Sequence, residues 1–123
     1  MWLTKVDHIQ LTYPVEVEEK IVEFYTKILL LPEIEKPLSL KANRGKWYAL
    51  DNMQLHISRE QVKRTSSKQH VCFVVTNLDQ FKEYLLAYQI EIVPDKQPLK
   101  GCERFYIFDP AGNRLEIAKF TEV

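Results

Sequence analysis

The sequence has little glycine, little cysteine and no excess of either charge. Glycine occurs 3 times in 123 residues, and no GxxxxGK or GxGxxG pattern is present, which argues against a glycine-rich phosphate loop. Cys72 and Cys102 are too few for a disulfide scaffold and read as reduced thiols in or near strands. Lys and Arg total 17, as do Asp and Glu, so the charge balance gives no support to a nucleic-acid surface, which normally carries a basic excess. No apolar run approaches membrane-spanning length, and no signal peptide precedes the first strand. The expectation is a cytoplasmic protein with neither nucleic acid nor membrane as partner. What the chain does have is apolar residues, at 46%. That is enough for a core, and the length suits one domain.

The elements alternate. Val6 to Thr12 reads as a strand ended by Pro14. From about Val17 to Leu29, Ile21, Phe24 and Ile28 repeat at helical spacing, with Val22 and Tyr25 widening the stripe. Pro32 closes that region. Residues 33–40 are a short strand or a loop. Arg44 to Leu50 and Met53 to Ser58 are strands across an Asp51-Asn52 turn. Arg59 to Lys68 is polar and reads as a connection. His70 to Val75 is a strand. Asn77 caps a second helix, with Gln80 placed for the reciprocal bond and Leu78, Phe81 and Leu85 on one face. Ile90 to Val93 is a short strand before Pro94. Two strands then flank Asp109-Pro110-Ala111-Gly112-Asn113. The order of elements repeats, giving a single domain of residues 1–123 with internal modules 1–60 and 69–120.

Strand parity sorts the side chains into two faces. Ile9, Leu11, Leu55, Ile57, Val71, Phe73, Leu115 and Ile117 form the apolar face, which the helices should cover. His8, Gln10, Gln54, His56, His70, Cys72 and Glu116 fall on the other. All three histidines of the chain are therefore on the polar face with a mid-strand carboxylate, which needs water, a cation or a donor. Imidazoles and a carboxylate suit a divalent metal. Such histidines also serve as ordinary hydrogen-bonded groups, and Glu116 could pair with Arg114 or Arg104 instead.

The segments VDHIQLT (6–12), EFYTKILLLPEI (23–34), WYALDNMQLHIS (47–58), HVCFVVTNLDQFKEYL (70–85) and RFYIFDPAGNRLEIAKF (104–120) resemble the vicinal-oxygen-chelate superfamily. That superfamily includes glyoxalase I, the bleomycin and fosfomycin resistance proteins and the extradiol dioxygenases. The resemblance covers nearly the whole chain, and DPAGNRLEI is its most specific part. It implies an α+β fold of two βαβββ modules forming a cup-shaped, open barrel-like sheet, with two main helices outside. It implies that His8, His70 and Glu116 bind a divalent metal ion: zinc, nickel, manganese or iron. At the end of the first module, where glyoxalase I commonly has a glutamate, this chain offers Gln54 and His56. His56 is preferred, as ligand or as catalytic acid–base group.

The resemblance further implies a homodimer in which one chain's first module faces the other's second. The expected activity is that of a small metal-dependent enzyme, a lyase, isomerase or dioxygenase. It would chelate adjacent oxygens of a small organic substrate and stabilise an anionic intermediate. The rival is a metal-free small-molecule binding protein of the bleomycin-resistance type. Cys72 shares the polar face, where a nucleophilic role is the minor reading because no helix N-terminus or cationic partner is evident. Arg59, Arg104 and Lys100 read first as solvated surface charges and second as anion-binding groups. At most one or two of Trp47, Tyr48 and Tyr106 line the pocket, since large aromatics also serve ordinary cores.

Overall fold

The computed structural model describes residues 1–61 and 67–121. The chain divides into two compact units, Met1–Lys63 and Arg64–Val123. Each is a βαβββ module, and the fold is α+β.

In the first unit β1 (His8–Tyr13) leads through a single 3-10 turn into α1 (Glu18–Glu23), which continues as a π-helical turn, Phe24–Ile28. The helical stretch predicted over 17–29 is thus present but mixed in type. In the π turn, Leu29 N–H donates to the Phe24 carbonyl five residues back. Phe24 and Tyr25, adjacent in sequence, are both buried and meet edge to face. The ambiguous region holds β2 (Glu33–Ile34) and a 3-10 turn. β3 (Lys46–Leu50) and β4 (Met53–Arg59) complete a sheet of order β1-β4-β3-β2, with β1 parallel to β4.

Gly45 opens β3 at φ +108°, and a Cβ there would stand 2.0 Å from the Ile57 carbonyl oxygen, so only glycine lets the chain approach β4. The helix-side core is Tyr13, Ile21, Phe24, Tyr25, Tyr48, Leu55 and Ile57. Tyr48 is not among the aromatics that line a pocket. It is instead fully buried beneath the helix, its hydroxyl 2.9 Å from Thr26 Oγ1. Its parity puts it with Leu55, its partner across the β3–β4 ladder.

The second unit repeats the plan. β5 (His70–Val74), α2 (Leu78–Ala87), β6 (Val93–Pro94), β7 (Cys102–Phe108) and β8 (Arg114–Phe120) form a sheet of order β5-β8-β7-β6, with β5 parallel to β8. Asn77 caps α2, its Oδ1 accepting the Gln80 N–H at 3.0 Å. β6 lies later than predicted and includes Pro94, which an edge strand tolerates. The turn between β7 and β8 is built around buried Asp109, whose Oδ1 accepts the Ala111 and Asn113 amides, both at 2.9 Å. Of the connection predicted over 59–68, Arg59 belongs to β4, and residues 62–66 lie outside those described. Among the described residues no helix is long and apolar enough to cross a membrane.

Candidate functional site

The two ladders place the candidate residues at matching positions. His8 pairs with Gln54 and Gln10 with His56, while His70 pairs with Arg114 and Cys72 with Glu116. His56 therefore holds in the first unit the place that Glu116 holds in the second, and Gln54 corresponds to Arg114. The antiparallel neighbours match too: Trp47 lies opposite His56, and Tyr106 opposite Glu116.

In the first unit these positions form a stack of three rings. His56 lies against Trp47 with centroids 3.9 Å apart and planes at 1°, and against His8 at 4.2 Å and 15°. His56 is buried although parity puts it on the polar face. Burial, and then the neighbouring His8, push its pKa below the ordinary value. Its Nε2 is 2.8 Å from Gln54 Oε1. An amide oxygen only accepts, so the proton sits on Nε2 and the lone pair on Nδ1. Gln54 therefore sets the tautomer of His56. His8 Nδ1 meets Asp7 Oδ2 at 3.0 Å, and that hydrogen bond is the main cause holding the Asp7 carboxyl below its usual range. These groups border a cavity of about 530 Å³, with Lys36 and Arg44 on its wall.

In the second unit His70 Nε2 stands 2.9 Å from Glu116 Oε1, and His70 Nδ1 is 2.8 Å from the Lys68 carbonyl oxygen. Glu116 is buried, with 8% of its side chain exposed. Its Oε2 accepts from the Cys72 thiol at 3.4 Å and faces Arg104 Nη1 at 3.5 Å. The arginine at Glu116 is thus Arg104, from the adjacent strand. Arg114 lies instead over the Tyr106 ring, 4.2 Å from its centroid. Burial, followed by the Glu116 carboxylate, pushes the Cys72 thiol up to about 11. A raised thiol pKa of this kind disfavours the thiolate that a nucleophilic role needs.

The structure thus brings the candidates together as two pairs, His8 with His56 and His70 with Glu116. Among the described residues, no group of three or more His, Cys, Asp or Glu side chains is clustered as if to hold a metal ion. The donor chemistry of each pair nevertheless suits one. His8 and His70 both have Nδ1 engaged by an acceptor, which leaves Nε2 as the ligating nitrogen, the orientation metal-bound histidines commonly show. At the second pair a carboxylate oxygen already lies at His70 Nε2, so nitrogen and oxygen donors converge on one point.

The other sequence expectations divide. Arg59 is committed elsewhere, to a two-pronged ion pair with Glu18 at 2.5 and 2.7 Å. Trp47 and Tyr106 do line cavities, and Lys100 lines neither cavity that contains a candidate histidine. Arg114 as a cavity group was missed. Its signal was parity, since it shares a face with Glu116 two residues away.

No family model matches the sequence. Among solved structures, a glyoxalase family protein from Bacillus anthracis superposes with a TM-score of 0.88 at 34% identity, over 98% of this chain and 98% of that one. The chain belongs to the glyoxalase family, within the vicinal-oxygen-chelate superfamily. The fosfomycin resistance protein FosX from Listeria monocytogenes matches at 19% identity with a TM-score of 0.80, over 97% of this chain and 93% of that one. An integron cassette protein from the mobile metagenome of a Halifax Harbour sewage outfall matches at 20% identity and 0.75, over 96% and 100%. The two more distant likenesses concern the fold. A FosX mutant has been crystallised with Mn(II) and a dihydroxypropylphosphonic acid, and FosX also with Mn(II) and sulfate.

Proposed function

We propose that this protein is a divalent-metal-dependent enzyme of the glyoxalase/dioxygenase-like class, with His8, His70 and Glu116 as ligands and His56 as the proton-transfer group. One observation carries the reading. His8 and His70, at equivalent places on β1 and β5, both have Nδ1 held by an acceptor. Family membership supports it, as does manganese in the FosX crystals. A bound divalent cation would supply Lewis acidity toward two adjacent oxygens of a small organic substrate.

The protein's own groups do the rest. Asp7 and the Lys68 carbonyl orient the two imidazoles. Arg104 and Cys72 hold Glu116 Oε2, leaving Oε1 toward His70. His56, kept neutral by burial and carrying its lone pair on Nδ1, takes a proton from the substrate and returns it. Trp47 and His8 fix the plane of that ring. A homodimer in which each chain's first module completes the other's second would bring the two pairs into one site.

The experiment is metal loading. The protein is dialysed in turn against zinc, nickel, manganese and iron(II) salts, and metal content is measured on the wild type and on His56→Gln and His70→Ala. His56→Gln should retain metal and His70→Ala should lose it. Loss of metal from His56→Gln would make His56 a fourth ligand rather than the base.

A metal-free binding protein is the second reading, favoured by the fact that His70, Cys72 and Arg104 already occupy both Glu116 oxygens. It predicts no stoichiometric metal under any of these conditions.

A further inference from the structure

The second unit contains a cavity of about 560 Å³ bordered by His70, Tyr106 and four cationic side chains, Lys68, Lys96, Arg104 and Arg114. Its lining includes one carboxylate, Asp95, and that group is taken: Arg104 Nε donates to Asp95 Oδ2 at 2.9 Å. Arg104 also faces Glu116. Arg114 has no such match. It belongs to none of the ion pairs among the described residues. Yet it is half-buried, on a strand position flanked by His70 on one side and Phe108 on the other. Removing a guanidinium from water without a counter-ion is unfavourable. The Tyr106 face offsets only part of that. A guanidinium seated over a ring can present its N–H fork to an oxyanion, gripping it with two bonds.

We propose that Arg114, on its Tyr106 shelf, binds an oxyanion group of the substrate, a carboxylate or a phosphoryl-type group, beside His70. Calling that ligand the substrate rests on the metal-site reading above; the anion site itself does not. The first unit lacks the feature. Its equivalent residue is Gln54, which is uncharged and orients His56. The two units therefore have different tasks: the first places the base, and the second fixes the anionic end of the molecule. Arg114 is a specificity-determining residue in this scheme, with Tyr106 as its positioning residue.

The test uses metal-free full-length protein at constant ionic strength, so that no cation can recruit the anion. Inorganic phosphate and acetate are titrated separately, and binding is followed by NMR shifts of the His70 ring and the Arg114 side chain. Saturable binding of at least one probe is expected, and which one saturates distinguishes the phosphoryl from the carboxylate source. Arg114→Gln should weaken it at least 10-fold and Tyr106→Leu less severely, with Lys100→Gln unchanged. If Arg114→Gln fails to fold, Arg114→Lys decides, because a single ammonium lacks the fork: clear weakening supports the site and unchanged binding overturns it. Absence of saturable binding to the wild type, or wild-type binding by Arg114→Gln, also overturns it. A protein that binds the anion but no metal sinks the metal reading alone. One that binds metal but neither probe sinks only this proposal.

Discussion

Replacing Glu18 by glutamine tests the electrostatics that fasten α1 to the first sheet. Glu18 Oε2 accepts the hydroxyl of fully buried Tyr13 at 2.8 Å, and Arg59 at the end of β4 grips both carboxylate oxygens. The Arg59 hydrogen bond is the main cause holding the Glu18 pKa down, from 4.5 to about 2. At about 1.36 kcal/mol per pH unit, that difference sets a ceiling of about 3 kcal/mol. Solvent reduces it, because the Arg59 and Glu18 side chains remain 38% and 22% exposed. Exposed pairs are worth about 0.2–1 kcal/mol, and the two-pronged geometry with a tyrosine bond places this one at about 1–2 kcal/mol.

The pH dependence follows from the sign. A depressed carboxyl pKa stabilises the fold fully above the unfolded value of 4.5, and that contribution is lost as pH falls through about 2. The wild type should therefore exceed Glu18→Gln by about 1–2 kcal/mol at pH 7, or about 4–8 °C in Tm. The gap should narrow between pH 4.5 and 2 and close below that range. Urea unfolding of both proteins at pH 7, 5, 3 and 2 measures it. A gap that is absent at pH 7, or constant across the series, would rule out this role for the Glu18–Arg59 pair.

Other outcomes follow from single contacts. Arg104→Gln removes the cation at Glu116 Oε2 and should weaken metal affinity about 10–100-fold, read by titration, with the protein still folded. Cys72, with its pKa near 11, should react with iodoacetamide at pH 8 about 100-fold more slowly than an ordinary cysteine, followed in a Cys102→Ala background. Gly45→Ala forces a Cβ to within 2.0 Å of a carbonyl oxygen and should cost more than about 2 kcal/mol. Gly112→Ala, at φ +86° with nothing within 4 Å, should cost only about 1 kcal/mol. Chemical denaturation compares the two.

The polar face was legible because a strand's period is two. That period alone put His8, His56, His70, Cys72 and Glu116 together, and the ladders keep them on equivalent positions. Their partners were not legible. Whether Gln54 or His56 matches Glu116 depends on register, which no single strand encodes. Glu116 takes Arg104 rather than Arg114 because the antiparallel β7 brings a second arginine alongside and Tyr106 offers Arg114 a ring. Which of Trp47, Tyr48 and Tyr106 serve the pocket and which the core was open in the sequence. Parity with Leu55 and the Thr26 hydroxyl put Tyr48 under the helix. The helix between β1 and β2 was found by its apolar stripe, but its π turn left no mark in that stripe.

The proposed ligands His8, His70 and Glu116 would hold one divalent cation per chain. Calorimetric titration of manganese into metal-free wild type and Glu116→Ala tests it most directly. Saturable binding at one ion per chain is expected for the wild type, weakened at least 100-fold by the substitution. A wild type that takes up no manganese, zinc, nickel or iron(II), or a Glu116→Ala protein that binds as tightly as the wild type, would contradict this ligand set.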